Sequence, residues 1–187
     1  MKLAFVIFDG MTTLDFTGFY DAVTRLKTMG FMPDLEWDVC ATIREVREEK
    51  GLRVVADRVC GPFDAYDLVF LPGGIGTRTL VDDADFIGWI RTAERCRYRV
   101  SVCTGALLWG AAGFLRGRTA TTHPRAYKEL ERYCDRVSHE RIVDDGDIIT
   151  ARGVTSSIDL GLYICEKLAG PEARTKIARQ MDYVHGA

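Results

Sequence analysis

Cys103 is the residue best placed for chemistry. It closes the β-branched run Tyr98-Arg99-Val100-Ser101-Val102, and Thr104-Gly105 and the helix formers Ala106-Leu107-Leu108 follow it. A strand, a nucleophile, one residue, a glycine and then a helix is the pattern that presents a nucleophile on a sharp turn. Gly105 lets strand and helix backbones approach closely. A thiol at a helix start faces unpaired N–H groups, which favour negative charge. The sequence therefore predicts a thiol that ionises below its ordinary value of about 8.5, since helix N-termini lower a cysteine pKa. The thiolate is the nucleophilic form, and the Thr104 amide is placed to hold a developing anion. The opposing reading, a buried cysteine acting as a small hydrophobe, suits Cys40, Cys60, Cys96, Cys134 and Cys165, which lack this context.

Other candidates each carry two readings. Asp15 is either a helix cap near the start of the Leu14–Lys27 segment or an acid whose pKa is raised by burial and a neighbouring negative charge, and residue chemistry alone favours the cap. His123 follows Thr121-Thr122 and is either a structural hydrogen-bonding group or an acid–base residue. Pro72-Gly73-Gly74-Ile75-Gly76 lacks the Lys-Ser/Thr of a phosphate loop. It reads as a tight turn at the C-terminal edge of a sheet, where open α/β sheets place their crevices. His139 and His185 have no partner at metal-ligand spacing and read as surface residues. No metal site and no cofactor are expected.

These residues need elements to position them. Leu3–Phe8, Trp37–Thr42, Leu68–Leu71 and Arg99–Val102 are short apolar or β-branched runs bounded by turn signals, as strands buried on both faces require. Helical spacing separates them: Leu14, Phe16, Phe19, Val23 and Leu26; then Phe86, Ile90 and Ala93; then Leu107, Leu108 and Ala111. Strands alternating with helices predict βαβ units and a parallel sheet, the α/β class. Glu45–Asp57, with Gly51 at its middle, predicts a small edge hairpin, and the mixed-sign run Arg44–Lys50 its solvated face. A short helix is expected over Ala126–Tyr133, after Pro124. Ile142–Val143 and Ile148–Ala151 flank a hairpin turn at Asp144–Asp147. Helices are expected over Val154–Leu168 and Glu172–Tyr183, split by Gly170-Pro171, with loose residues after Tyr183.

The chain has 187 residues, 47% of them hydrophobic and 28% charged, with a net charge of −2. That suits one core, and the chain is read as one domain, 1–187. No basic run suggests nucleic acid or a membrane surface. The apolar start, Met1–Phe8, stops too soon for a signal peptide. Six cysteines without a C-x-x-C pair point to free thiols in a reducing cytoplasm.

Three motifs carry a family resemblance over nearly the whole chain. Cys103-Thr104-Gly105-Ala106, Leu71-Pro72-Gly73-Gly74 and Ala120-Thr121-Thr122-His123 resemble the ThiJ/PfpI superfamily. The resemblance implies a flavodoxin-like three-layer sandwich, a mostly parallel central sheet, a nucleophile elbow at Cys103 and a homodimer. Ser101-Val102-Cys103-Thr104-Gly105, Leu14-Asp15-Phe16-Thr17-Gly18 and Gly153-Val154-Thr155-Ser156-Ser157-Ile158-Asp159 look like the isonitrile hydratase branch. Sensor domains of some transcription regulators share these motifs, but the regulators' C-terminal helix-turn-helix domain is not expected in a chain ending at Ala187. By this resemblance Cys103 is the nucleophile, Asp15 the acid beside it, Gly74 and Thr104 the anion-binding amides, and Ile75, His123 and Val154 face a small-molecule substrate. The Asp15 odds reverse accordingly, from cap to acid. Three departures stand out. Thr104 replaces the histidine that PfpI-type proteases carry there. Pro124 replaces the hydratases' usual tryptophan, and Arg152 a glycine. The activity implied is cofactor-independent hydration of an isonitrile. The alternatives are glyoxalase- or deglycase-like chemistry on α-oxoaldehydes, and a non-catalytic cysteine redox or ligand sensor.

Overall fold

A computed structural model describes residues 1–183; the expectations for the end of the chain, His185 included, lie outside the described residues. Seven strands form the main sheet: β1 (Lys2–Val6), β2 (Glu36–Ala41), β5 (Arg58–Val59), β6 (Leu68–Leu71), β7 (Tyr98–Val102), β10 (Ile142–Asp145) and β11 (Ile148–Ala151). Their order is β10-β11-β7-β6-β1-β2-β5. All neighbours are parallel except β10 and β11, which form the expected hairpin. Every residue of β6, β7 and β11 is buried, as strands covered on both faces must be.

Helices cover the two faces. On one lie α1 (Thr13–Thr28), α6 (Ser156–Ala169) and α7 (Pro171–Gln180), packed on each other. On the other lie α2 (Thr77–Leu80), α3 (Ala84–Arg91), α4 (Gly105–Ala111) and α5 (Tyr127–Leu130), with α4 at the centre of the contacts. This is a three-layer α/β sandwich. α1 and α6 pack so closely that a Cβ on Gly18 would sit 2.2 Å from Ser157 Oγ, and one on Gly161 2.7 Å from Ala22 Cβ. The Ser157 hydroxyl donates to the Leu14 carbonyl at 3.0 Å and pins the start of one helix to the other.

Small strands complete the chain. β3 (Glu45–Arg47) and β4 (Arg53–Val55) form the predicted hairpin. β8 (Thr119–Ala120) and β9 (Arg136–Val137) form a parallel pair apart from the main sheet. The sequence reading did not anticipate β5, β8, β9 or α2, because elements of two to four residues carry no periodicity. Its helix over Ala126–Tyr133 is shorter, a 3-10 turn over Pro124–Ala126 leading into α5. No described helix is long and apolar enough to cross a membrane.

Candidate active site

The strand order reverses between β1 and β6, and there the loops after parallel strands diverge to leave a crevice. The loop after β1 carries Thr12, the loop after β6 carries Gly73 and Gly74, and Cys103 follows β7. The Thr12 amide donates to the Gly73 carbonyl at 2.8 Å, and Met11 bridges Gly74. The start of α1 is thereby fixed to the β6 loop.

Cys103 adopts φ +56°, a left-handed conformation that costs a non-glycine residue free energy. Its backbone is clamped on both sides. Its N–H donates to Arg152 O at 2.7 Å and Ala151 O at 3.0 Å. Its carbonyl accepts the Thr122 hydroxyl at 2.7 Å. The Thr-Thr-His motif thus supports the elbow through its second threonine, a role the sequence reading missed. Glycines give the space. A Cβ on Gly105 would lie 2.5 Å from the Leu71 carbonyl oxygen. One on Gly73 would lie 2.5 Å from Thr104 N, 2.7 Å from Cys103 Cβ and 2.9 Å from Asp15 Oδ2. Gly73 is therefore the point on which the elbow and the acid converge.

Asp15 does not cap α1; that position is held by Thr12, so the capping alternative is overturned. Asp15 sits in the first turn of the helix, fully buried, with its Oδ2 turned to the β6 loop at Gly73. Oδ2 accepts the Gly73 amide at 2.9 Å. Oδ1 has no hydrogen-bond partner among the described residues, and the carboxyl lies close enough to the Cys103 thiol for each to act on the other's ionisation. Burial pushes the Asp15 pKa up to about 7, even though the Gly73 amide and the thiol favour its ionised form.

The expected low thiol pKa is corrected. Burial, then the Asp15 charge, push Cys103 up to about 12, and the Thr104 amide facing the sulfur offsets only part of this. The helix that follows has only seven residues, a short dipole set against removal of the sulfur from water. The pair therefore holds its proton on sulfur at neutral pH, and Asp15 is the group that titrates there.

The second correction concerns Gly74. Its amide is not free for an anion, because it donates to Thr104 Oγ1 at 3.0 Å. That oxygen also accepts the Thr77 hydroxyl at 3.0 Å. Thr104 thus ties the β6 loop and α2 to the elbow, and of the two expected amides only its own remains turned toward the sulfur.

Above the sulfur lies a cavity of about 240 Å³, lined by Cys103, Thr104, Gly74, Ile75, His123 and Val154, with Thr12, Glu49, Arg78 and Arg125. Every expected site residue except Asp15 reaches this wall; Asp15 lies behind the sulfur. Cys103 is 6% exposed, so the thiol is recessed but reachable. His123 Nδ1 accepts the Arg125 amide at 3.2 Å, which assigns the ring proton to Nε2. Burial and nearby guanidinium groups lower its pKa, so the ring is neutral.

The charged residues in the cavity wall were missed. The run Arg44–Lys50 is not simply a solvated face. Glu48 is buried: Oε1 accepts the Lys50 and Leu52 amides at 2.7 and 3.0 Å, and Oε2 accepts the Thr13 hydroxyl at 2.8 Å. This docks the hairpin tip on α1 and brings Glu49 to the cavity. All six cysteines are free thiols, and among the described residues no cluster of His, Cys, Asp or Glu is placed to hold a metal ion.

A parallel sheet with a cysteine elbow at its C-terminal edge, an acid behind the sulfur and a small cavity before it define a flavodoxin-like α/β domain built around a thiol. The chain belongs to the DJ-1/PfpI family, whose model matches residues 1–167. It is 32% identical over 186 residues to an isonitrile hydratase of Pseudomonas putida, covering 98% of this chain and 78% of that protein. It is 26% identical to DJ-1alpha of Drosophila melanogaster, covering 94% of this chain and 81% of that protein. A ThiJ/PfpI family protein from Pseudomonas syringae, solved by crystallography, superposes with a TM-score of 0.90 at 28% identity, covering all of this chain and 76% of the other.

Proposed function

We propose that this protein hydrates an isonitrile to an N-substituted formamide. The observation that carries the reading is the buried Asp15 carboxyl, with a pKa raised to about 7, converging with Cys103 on Gly73 at the floor of a small cavity. A base with a pKa near the working pH is suited to take a proton and return it.

Ionised Asp15 takes the Cys103 proton as the sulfur attacks the terminal carbon of the isonitrile. The same proton then passes from Asp15 to that carbon, giving a thioimidate, R–N=CH–S–Cys103. The Thr104 amide stabilises the sulfur while it carries charge. Water adds to the thioimidate carbon, with Asp15 taking its proton and delivering it to nitrogen. The C–S bond breaks, the formamide R–NH–CHO leaves, and the hydroxyl proton returns to sulfur. The sum is the isonitrile plus one water, with no change in oxidation state, so the reaction calls for no redox cofactor. His123 Nε2–H in the wall serves as a donor to the substrate nitrogen. The relative from Pseudomonas putida is named for this activity, and the cavity volume suits a small substrate.

The test is direct. Purified protein incubated with an alkyl isonitrile should release the formamide, and Cys103→Ala should lose turnover while keeping its circular dichroism spectrum. Lactate from methylglyoxal in a parallel incubation, with no formamide from the isonitrile, would replace this reading with α-oxoaldehyde chemistry.

A further inference from the structure

We infer that the substrate carries a negatively charged group, a carboxylate in the first instance, which docks on the His123 side of the cavity against Arg125 and Arg78. This deepens the hydratase reading and rests on it for the identity of the reacting group.

Arg78 and Arg125 both line the cavity that holds Cys103. Arg152 lies in the adjoining recess, which shares His123 and Val154 with that cavity. All three guanidinium groups are close enough to His123 to act on its charge. Their partners do not balance them. Arg78 meets Glu129 at 3.2 Å in an exposed pair. Among the described residues, Arg152 donates to a backbone carbonyl, that of His139, at 3.2 Å and meets no acid. Among the described residues, the exposed Arg125 side chain meets no acid. The one acid in the cavity wall, Glu49, is paired with Lys50 at 2.7 Å.

The local balance is thus positive in a chain whose net charge is −2. An unpaired guanidinium beside a recess gains most from an ionised oxygen ligand, because its planar donors match a carboxylate in two-point contact. A surface arginine with no such role is usually solvated or paired with a neighbouring acid. Three arginines gather around one neutral histidine at the mouth of this cavity, and among the described residues Arg78 alone of the three meets an acid. The neutral ring matters as well. A charged imidazolium would repel the arginines, whereas His123 keeps an Nε2–H donor without adding a fourth cation.

The proposal is tested by binding, separately from turnover. Isocyanoacetate and its uncharged methyl ester are titrated by calorimetry into the Cys103→Ala protein, and into the same protein also carrying Arg125→Gln or Arg78→Gln. The carboxylate should bind at least tenfold tighter than the ester at low salt. Arg125→Gln should erase most of that preference while leaving the ester affinity unchanged. No binding of the carboxylate, equal affinities, or a preference that survives both arginine replacements would overturn the inference. Turnover of a neutral alkyl isonitrile by the intact protein is read independently. A charge preference without formamide production would sink the hydratase reading alone, and formamide production without a charge preference would sink this inference alone.

Discussion

At the scale of single residues the proposed reaction and the stability both turn on the Asp15–Cys103 pair. Asp15 must be ionised to take the thiol proton. With its pKa raised to about 7, kcat/KM for an isonitrile should rise with pH through about 7 and level off, well below the value near 12 at which Cys103 itself ionises. Asp15→Asn should remove that limb and cut the rate by roughly a hundredfold or more, the usual scale for acid–base residues. The linkage has a definite sign. The carboxyl is raised from 3.8 to about 7, so the folded state binds more protons than the unfolded one. The charged form therefore lowers stability progressively between pH 4 and pH 7, by an amount on the order of 4 kcal/mol once the shift is complete. Asp15→Asn keeps an acceptor for the Gly73 amide and carries no charge. Urea unfolding should find it more stable than the native protein at pH 8 and the gap should shrink toward pH 4; a gap that does not vary with pH would refute the shift. Thr122→Val should loosen the Cys103 carbonyl, lowering stability by about 1 kcal/mol for a lost hydrogen bond and kcat more than KM.

The elements show what the sequence revealed and what it hid. β1 and β6 were legible as apolar runs, as a strand covered on both faces must be, and β2 and β7 as short runs of apolar and β-branched residues bounded by turn signals. The elbow was legible because strand, cysteine and Gly105 follow one another directly. The protonation state of Cys103 was not, because a helix start can be read locally while burial comes from distant segments such as the β6 loop and α1. Glu49, Arg78 and Arg125 stayed hidden for a related reason. Charged residues in polar runs read as solvated, and only the Glu48 hydrogen bonds, the fold of the β6 loop and the turn after His123 bring these three to one cavity. The Leu14–Gly18 and Gly153–Asp159 motifs gain a physical meaning in the α1–α6 contact. Gly18→Ala should place a methyl group against Ser157, costing about 1–3 kcal/mol as overpacking does. Thermal unfolding would check this, and a Tm equal to the native value would show that the helices can part freely.

Over the whole molecule, burial sorts the thiols. Cys60 alone is exposed and Cys134 is half-buried, while Cys40, Cys96, Cys103 and Cys165 are buried. Burial pushes Cys40 and Cys96 up to about 11, and Cys165 up to about 12, so none of these is ionised near neutrality. A disulfide reagent at pH 7 should modify Cys60 first in the native protein and all six thiols after unfolding. Prompt modification of Cys103 ahead of Cys60 would contradict the raised thiol pKa and favour an oxidation sensor over the proposed chemistry.

The hairpin of β3 and β4 lies outside the seven-stranded sheet, yet its tip delivers Glu49 to the cavity through the anchor at Glu48. The Asp15–Cys103 pair and part of the cavity wall therefore sit on separate supports. Lineages could exchange that tip and acquire new substrates without disturbing the elbow. A chimera bearing the hairpin of a relative should accept different compounds while keeping the same acid–base titration.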